Sequence, residues 1–170
     1  MGKLMLAAVA GMTGLVLSSV SASALQMLVT RMDKNGDGTV TYHFAVKLDP
    51  GETMSAGSDF VTMYNFGGLV AHSEKTPAGW TFSSEDFGRT PTWNGYPAVL
   101  PVDVPGLNNL TWTAGKTVAG ATMVEGFSAT THTAAMGETE YSAQVTRSAN
   151  GKVAKQAIIG TISGPVFIPQ

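Results

Sequence analysis

Cysteine is absent from all 170 residues of the chain. That excludes a disulfide framework, a cysteine nucleophile and any thiolate metal site, so packing and hydrogen bonds alone must hold the fold. Charge is scarce too. Charged residues are 13% of the chain and the formal net charge is −2, which offers no basic footprint for a nucleic acid or an anionic membrane. After Ala24 there is no sustained apolar stripe of helical period. Beyond the N-terminal stretch no apolar run is long enough to span a bilayer.

That N-terminal stretch is the first thing present. Lys3 gives a minimal positive start, "LMLAAVAGMTGLVL" an apolar centre, and "SASA" ends in small residues at Ala22 and Ala24. This is the build of a signal peptide over residues 1–24, cleaved before Leu25. A membrane anchor is the competing reading. The run is diluted by Gly, Ser and Thr, however, and no basic stop-transfer flank follows. The expected product is secreted, periplasmic or held at the cell surface, with no membrane span after cleavage. Residues 25–170 have the length of one domain with a real core.

Within that domain short alternating runs recur, punctuated by Gly, Pro, Asn and Asp. In "TVTYHFAVKL" Val40, Tyr42, Phe44, Val46 and Leu48 share one face, with Thr39, Thr41, His43, Ala45 and Lys47 on the other. Similar runs are "DFVTMYNF", "GLVAH", "GWTFS", "NLTWT", "MVEGFSATT", "EYSAQVTRS", "KVAKQAIIGTI" and a short "PVFI". About eight to ten strands follow, which predicts an all-β fold, a single two-sheet antiparallel β-sandwich. The segment Ser83 to Asn108 differs, because it holds Pro91, Pro97, Pro101 and Pro105. Proline cannot donate to a sheet ladder, so a long ordered loop with extended pieces is expected there.

"RMDKNGDGTVTYHF" carries the one motif with metal chemistry in it. Asp33, Asn35, Asp37 and Gly38 match the first half of an EF-hand loop, but Phe44 stands where the bidentate glutamate must be. The flanks alternate like strands where helices are required. As a hairpin with Asn35-Gly36 as its two-residue turn, the same stretch sets Lys34 opposite Asp37, Val29 opposite Tyr42, Met27 opposite Phe44 and Leu25 opposite Val46. Moving the turn to Asp37-Gly38 would set Arg31 opposite Phe44. The hairpin reading is preferred. No cofactor is expected, except that calcium could still bind at Asp33, Asn35 and Asp37 if a carboxylate from elsewhere closed the shell.

His43, His72 and His132 lack partners at metal-ligand spacing, and no G-x-S-x-G elbow is present. Trp80 and Trp112 lie in alternating runs and are expected in the core. Trp93 and Tyr96 lie in the proline-rich segment and are the candidate ligand-binding residues, able to stack on a sugar ring. The alternative is that Trp93 folds back to plug one end of the sandwich. Asn109-Leu110-Thr111 fits the glycosylation sequon but sits at a strand start. Asn150-Gly151 marks a second hairpin; a two-residue loop pairs Val145 with Gln156, a three-residue loop with Ala157.

"SDFVTMYNFGGLV", "TPAGWTFS" and "NLTWTAGKTVAG", followed by "EGFSATT", resemble short bacterial exported proteins of the PEP-CTERM-associated type. The resemblance covers roughly residues 60–146 and implies a β-sandwich without known catalysis; it carries over no functional residue. No Pro-Glu-Pro, apolar helix and basic tail follow "SGPVFIPQ", so free secretion, or a sorting segment beyond this sequence, are both open. The expectation is a non-catalytic exported protein of the cell surface or extracellular matrix, with self-assembly or a polysaccharide as partner. A carbohydrate-binding module and an exported hydrolase are the alternatives.

Overall fold

The alternating runs form strands because their β-branched and aromatic residues suit a pleated surface buried on at least one face. The computed structural model describes residues 24–93, 96–97, 101–133, 135–149 and 151–166; residues 1–23 of the expected signal peptide lie outside this range. In chain order the strands are β1 (Gln26–Lys34), β2 (Val40–Lys47), β3 (Glu52–Met54), β4 (Phe60–Phe66), β5 (Trp80–Glu85), β6 (Thr92–Trp93), β7 (Tyr96–Pro97), β8 (Asn108–Ala114), β9 (Val118–Ala119), β10 (Met123–Thr131), β11 (Met136–Ala149) and β12 (Lys152–Pro165). Three of them, in the order β1-β2-β10, make one antiparallel sheet. Seven make the other, in the order β5-β8-β4-β11-β3-β9 with β12 also paired to β11. The ten strands of this sandwich are the expected number, and β6 with β7 adds a small separate ladder. Strand β11 is the spine of the larger sheet. One edge pairs β12 along its whole length, and the other pairs β4 and then β3. Among the described residues no helix is long and apolar enough to cross a membrane.

The β1-β2 hairpin forms, but its register differs from the one expected. Lys34 pairs with Val40 instead of Asp37, and Met27 with Val46 instead of Phe44. A type I′ turn at Asn35-Gly36 needs positive φ at both residues. Here the positive φ falls on Gly38, at 86°. The Gly38 amide donates to the Asn35 carbonyl at 3.1 Å, and the Asn35 amide to the Thr39 carbonyl at 2.9 Å. That is a three-residue loop, a turn followed by a left-handed glycine. Near the turn the pairing has slipped by an odd number of residues, which alone would turn β1 inside out. A bulge between Val29 and Arg31 takes one residue back. The net slip is even, so Met27 and Phe44 both end up buried as expected.

At the second hairpin Val145 pairs with Gln156, as a two-residue Asn150-Gly151 loop requires. "GLVAH" is not a strand. Gly68 and His72 both adopt positive φ and turn the chain there, leaving one isolated bridge from Leu69 to Thr131.

Between the sheets runs a column of rings that crosses from one to the other. Trp80 of β5 packs edge-on to Phe127 of β10, which meets Trp112 of β8. Trp112 touches Phe44 of β2 at 5.9 Å between centroids and Phe82 of β5 at 5.4 Å. Phe44 stacks on Tyr42, which meets Phe66 of β4 edge-on. Trp80 and Trp112 are therefore core residues, as the sequence predicted.

Two outcomes follow. Phe44→Ala is expected to lower unfolding stability by about 3–5 kcal/mol in urea titrations, the cost of removing a large ring from a core. Burial pushes the phenols of Tyr42, Tyr64 and Tyr141 above their ordinary value of 10.0. The unfolded chain ionises near that value while the native state keeps its protons, so this contribution is intact below about pH 10 and lost above it. The urea midpoint is expected to fall above that pH, with tyrosinate absorbance growing in step with unfolding.

Candidate functional site

Strand β4 is buried on both faces. Val61 and Met63 point into the core, so alternation sends Phe60, Thr62 and Tyr64 to the far side of the sheet, where all three are nonetheless buried. What covers them is the proline-rich segment, which begins after Glu85 because β5 runs further than expected. Gly88 lies so close on the Tyr64 ring that a Cβ there would come within 2.1 Å of it. The Tyr64 hydroxyl donates to the Arg89 carbonyl at 3.2 Å, and the Arg89 guanidinium sits 4.3 Å over the Phe60 ring.

The covering segment runs nearly free of regular ladders, so its peptide groups need other partners. Three amide side chains provide them. Asn65 Nδ2 donates to the Val102 carbonyl at 2.8 Å, and Asn65 Oδ1 accepts from the Val104 amide at 2.7 Å. Asn109 Nδ2 donates to the Asp86 carbonyl at 2.9 Å, while its Oδ1 accepts from the Asn65 amide at 2.9 Å. Asn109 is buried with both ends of its amide bonded, so the sequon asparagine has a structural role. Gln144 of β11 grips Thr92 on both sides. Its Oε1 accepts from the Thr92 amide at 2.6 Å, and its Nε2 donates to the Thr92 carbonyl and the Gln156 carbonyl, each at 3.1 Å.

Trp93 is the next residue and it stands out, 61% exposed. The plug reading therefore fails for Trp93. Its backbone partner across the β6-β7 ladder is Tyr96, whose side chain lies outside the described residues. Beside Trp93 is a shallow cavity of about 180 Å³, walled by Arg147, Lys152, Ala154, Lys155 and Gln156 of the β11-β12 hairpin. Lys155 is committed: its ammonium donates to the fully buried Asp59, to Ser58 Oγ at 2.9 Å and to Thr146 Oγ1 at 2.8 Å. Arg147 and Lys152 have no ion-pair partner among the described residues. No acidic residue occurs from 87 to 102 or from 141 to 170. A protein of slightly negative net charge thus has a locally positive face with an indole on it.

The other candidates are placed differently. Asp33 accepts from Arg31 and meets His43 Nε2, each at 2.9 Å. Asn35 Nδ2 donates to Thr39 Oγ1 at 2.8 Å and to Thr41 Oγ1 at 3.0 Å. Asp37 Oδ1 accepts from the Thr39 hydroxyl at 2.7 Å and the Thr39 amide at 3.0 Å, which hold its carboxyl below the ordinary value. The three side chains at which calcium could bind are engaged with protein partners, Asp33 with Arg31 and His43, and Asn35 and Asp37 both with Thr39. His43 lies in β2 on the outer face, while His72 and His132 are exposed and unconnected to it. A further cavity of about 410 Å³ is lined by Asn65, Glu138, Thr139, Glu140, Thr161 and neighbours, with both glutamates exposed. Neither family models nor curated proteins match this chain, so its chemistry is read from its own geometry.

Sequence reasoning found Trp93 but missed Gln144, Arg147 and Lys152. The absence of acids over the last thirty residues was the available signal. Gln144→Leu strips the Thr92 peptide groups of their partners and is expected to cost about 1–3 kcal/mol; hydrogen exchange should quicken across residues 86–107 and stay unchanged in β1 and β2. Thermal melts in EDTA and in millimolar calcium are expected to coincide. A rise of about 10 °C with calcium would instead mark a site that stabilises by mass action.

Proposed function

We propose that this is a non-catalytic exported protein of the cell surface or extracellular matrix that binds acidic polysaccharide through the Trp93 face. One observation carries the reading: an exposed indole directly after Thr92, whose peptide groups a buried glutamine holds, beside two cations with no ion-pair partner among the described residues. An indole face stacks on the apolar face of a pyranose ring. Arg147 and Lys152 select among sugars by their carboxylate or sulfate groups, and Arg147 can meet a carboxylate with two parallel N–H donors. A platform fixed in advance loses little entropy on binding. The exported location rests on the Lys3 to Ala24 pattern.

Titration with a uronic-acid polysaccharide and with a neutral one of equal length tests the reading. The acidic chain is expected to bind and the neutral chain to bind more weakly. Trp93→Ala should weaken binding by about 2 kcal/mol or more, the usual loss at an aromatic anchor. Added salt should weaken the acidic ligand selectively, because exposed charges are screened. Equal binding of both polysaccharides, or none by either, would overturn it.

Self-assembly is the second reading, favoured by a different observation. The outer edge of β12 forms no ladder with any described strand along fourteen residues, and Val153 and Ile159 are exposed on it. Open edges of this length invite strand addition, although Lys152 at one end opposes it. Sedimentation over a hundredfold concentration range separates a monomer from an edge-paired assembly.

A further inference from the structure

Glu52 of β3 is a buried carboxylate, 1% exposed, and among the described residues it has no cationic partner. It is held by two backbone donors. Its Oε2 accepts from the Asp49 amide at 2.9 Å, and its Oε1 accepts from the amide of Leu25 at 3.2 Å. Leu25 is itself buried, and its carbonyl accepts from the Tyr141 hydroxyl of β11 at 3.1 Å. The start of β1, in the smaller sheet, is thereby tied at one residue to two strands of the larger sheet. A carboxylate taken out of water without an opposite charge is costly, and two neutral donors offset that cost only in part.

The nitrogen bonded to Glu52 belongs to the peptide bond that follows "SASA". Hydrolysis of the Ala24-Leu25 bond adds one water. The carbonyl carbon leaves with the leader as the Ala24 carboxylate, and the nitrogen keeps its hydrogen and takes up two protons to become an α-ammonium. We infer that the mature chain begins at Leu25 and that its new α-ammonium forms a buried ion pair with Glu52, so that removal of the leader completes the fold. The inference rests on the reading of residues 1–24 as a leader. To that cut before Leu25 it adds that the new terminus has a fixed structural partner, Glu52. Cleavage one or two residues earlier would leave the charge beyond Leu25, outside the reach of Glu52. Cleavage later would remove Leu25 from the core.

The full chain, exported from a bacterial host, is analysed by N-terminal sequencing and intact mass. Leu-Gln-Met-Leu is the expected start. Protein beginning at Leu25 is then compared with the same protein carrying one extra alanine before Leu25, and with its N-acetylated form. The free Leu25 amine is expected to melt about 6–20 °C above both, the range for breaking a buried ion pair in a domain of this size. In the Glu52→Gln background, which keeps the size and one acceptor, the three forms should melt together. The acetylation comparison needs no substitution, so it stands even where Glu52→Gln fails to fold. Export with cleavage at another bond, equal melting of the three forms, or a difference that survives Glu52→Gln would each overturn the inference. A chain neither exported nor cut would overturn the leader reading on which it rests.

Discussion

A sheet buried on both faces needs a cover, and a cover that is not itself a sheet must find partners for its own peptide groups. That constraint governs the larger sheet here. Asn65, Asn109 and Gln144 act as detached peptide units, offering amide donors and acceptors to a segment with few ladder bonds of its own. Apolar residues at these positions would bury the same area and leave the covering segment's amides and carbonyls orphaned. The prolines work in the same direction by removing donors that would otherwise need satisfying. The covering segment lies against Tyr64 and Phe60 on the outer face, and the exposed Trp93 follows directly on the gripped Thr92.

The positive face is a matter of distribution rather than amount. A net charge of −2 on a sparsely charged chain says little about any one surface. Two acid-free stretches, far apart in sequence, are brought together when the β11-β12 hairpin meets the covering segment. Asp59 neutralises Lys155 from below, fully buried and fixed by the Ser55 amide at 2.8 Å and the Thr146 hydroxyl at 3.0 Å. The charge left around the cavity beside Trp93 is that of Arg147 and Lys152, so two residues define the face there.

The fold was legible where local pattern and burial agree. Alternation in "TVTYHFAVKL" placed Tyr42 and Phe44 in the core, and Trp80 and Trp112 followed from the same logic. Register was less legible, because "DKNGDG" offers two left-handed positions and the choice between them depends on Asp37 capping Thr39 and on a compensating bulge at Thr30. "GLVAH" has strand composition, yet His72 takes a conformation that composition does not announce. Of the candidate site, Trp93 could be reached because proline marks its segment as lying outside the ladders. Gln144 could not: its role exists only across the gap to Thr92, and an alternating strand gives no sign of which polar residue will be buried.

The position of β11 bears on how such a chain behaves before it is finished. This strand joins β4 and β3 to β12, and it is encoded after nearly all the strands it connects. Until residues past 136 are available, β4 has an unfilled edge and the larger sheet cannot close. Long-range pairing of this kind is slow to nucleate, because distant segments must meet before any ladder forms. A polypeptide threaded start-first through a narrow channel would therefore stay loose for most of its passage. It would close into its two sheets only when β11 and β12 emerged on the far side.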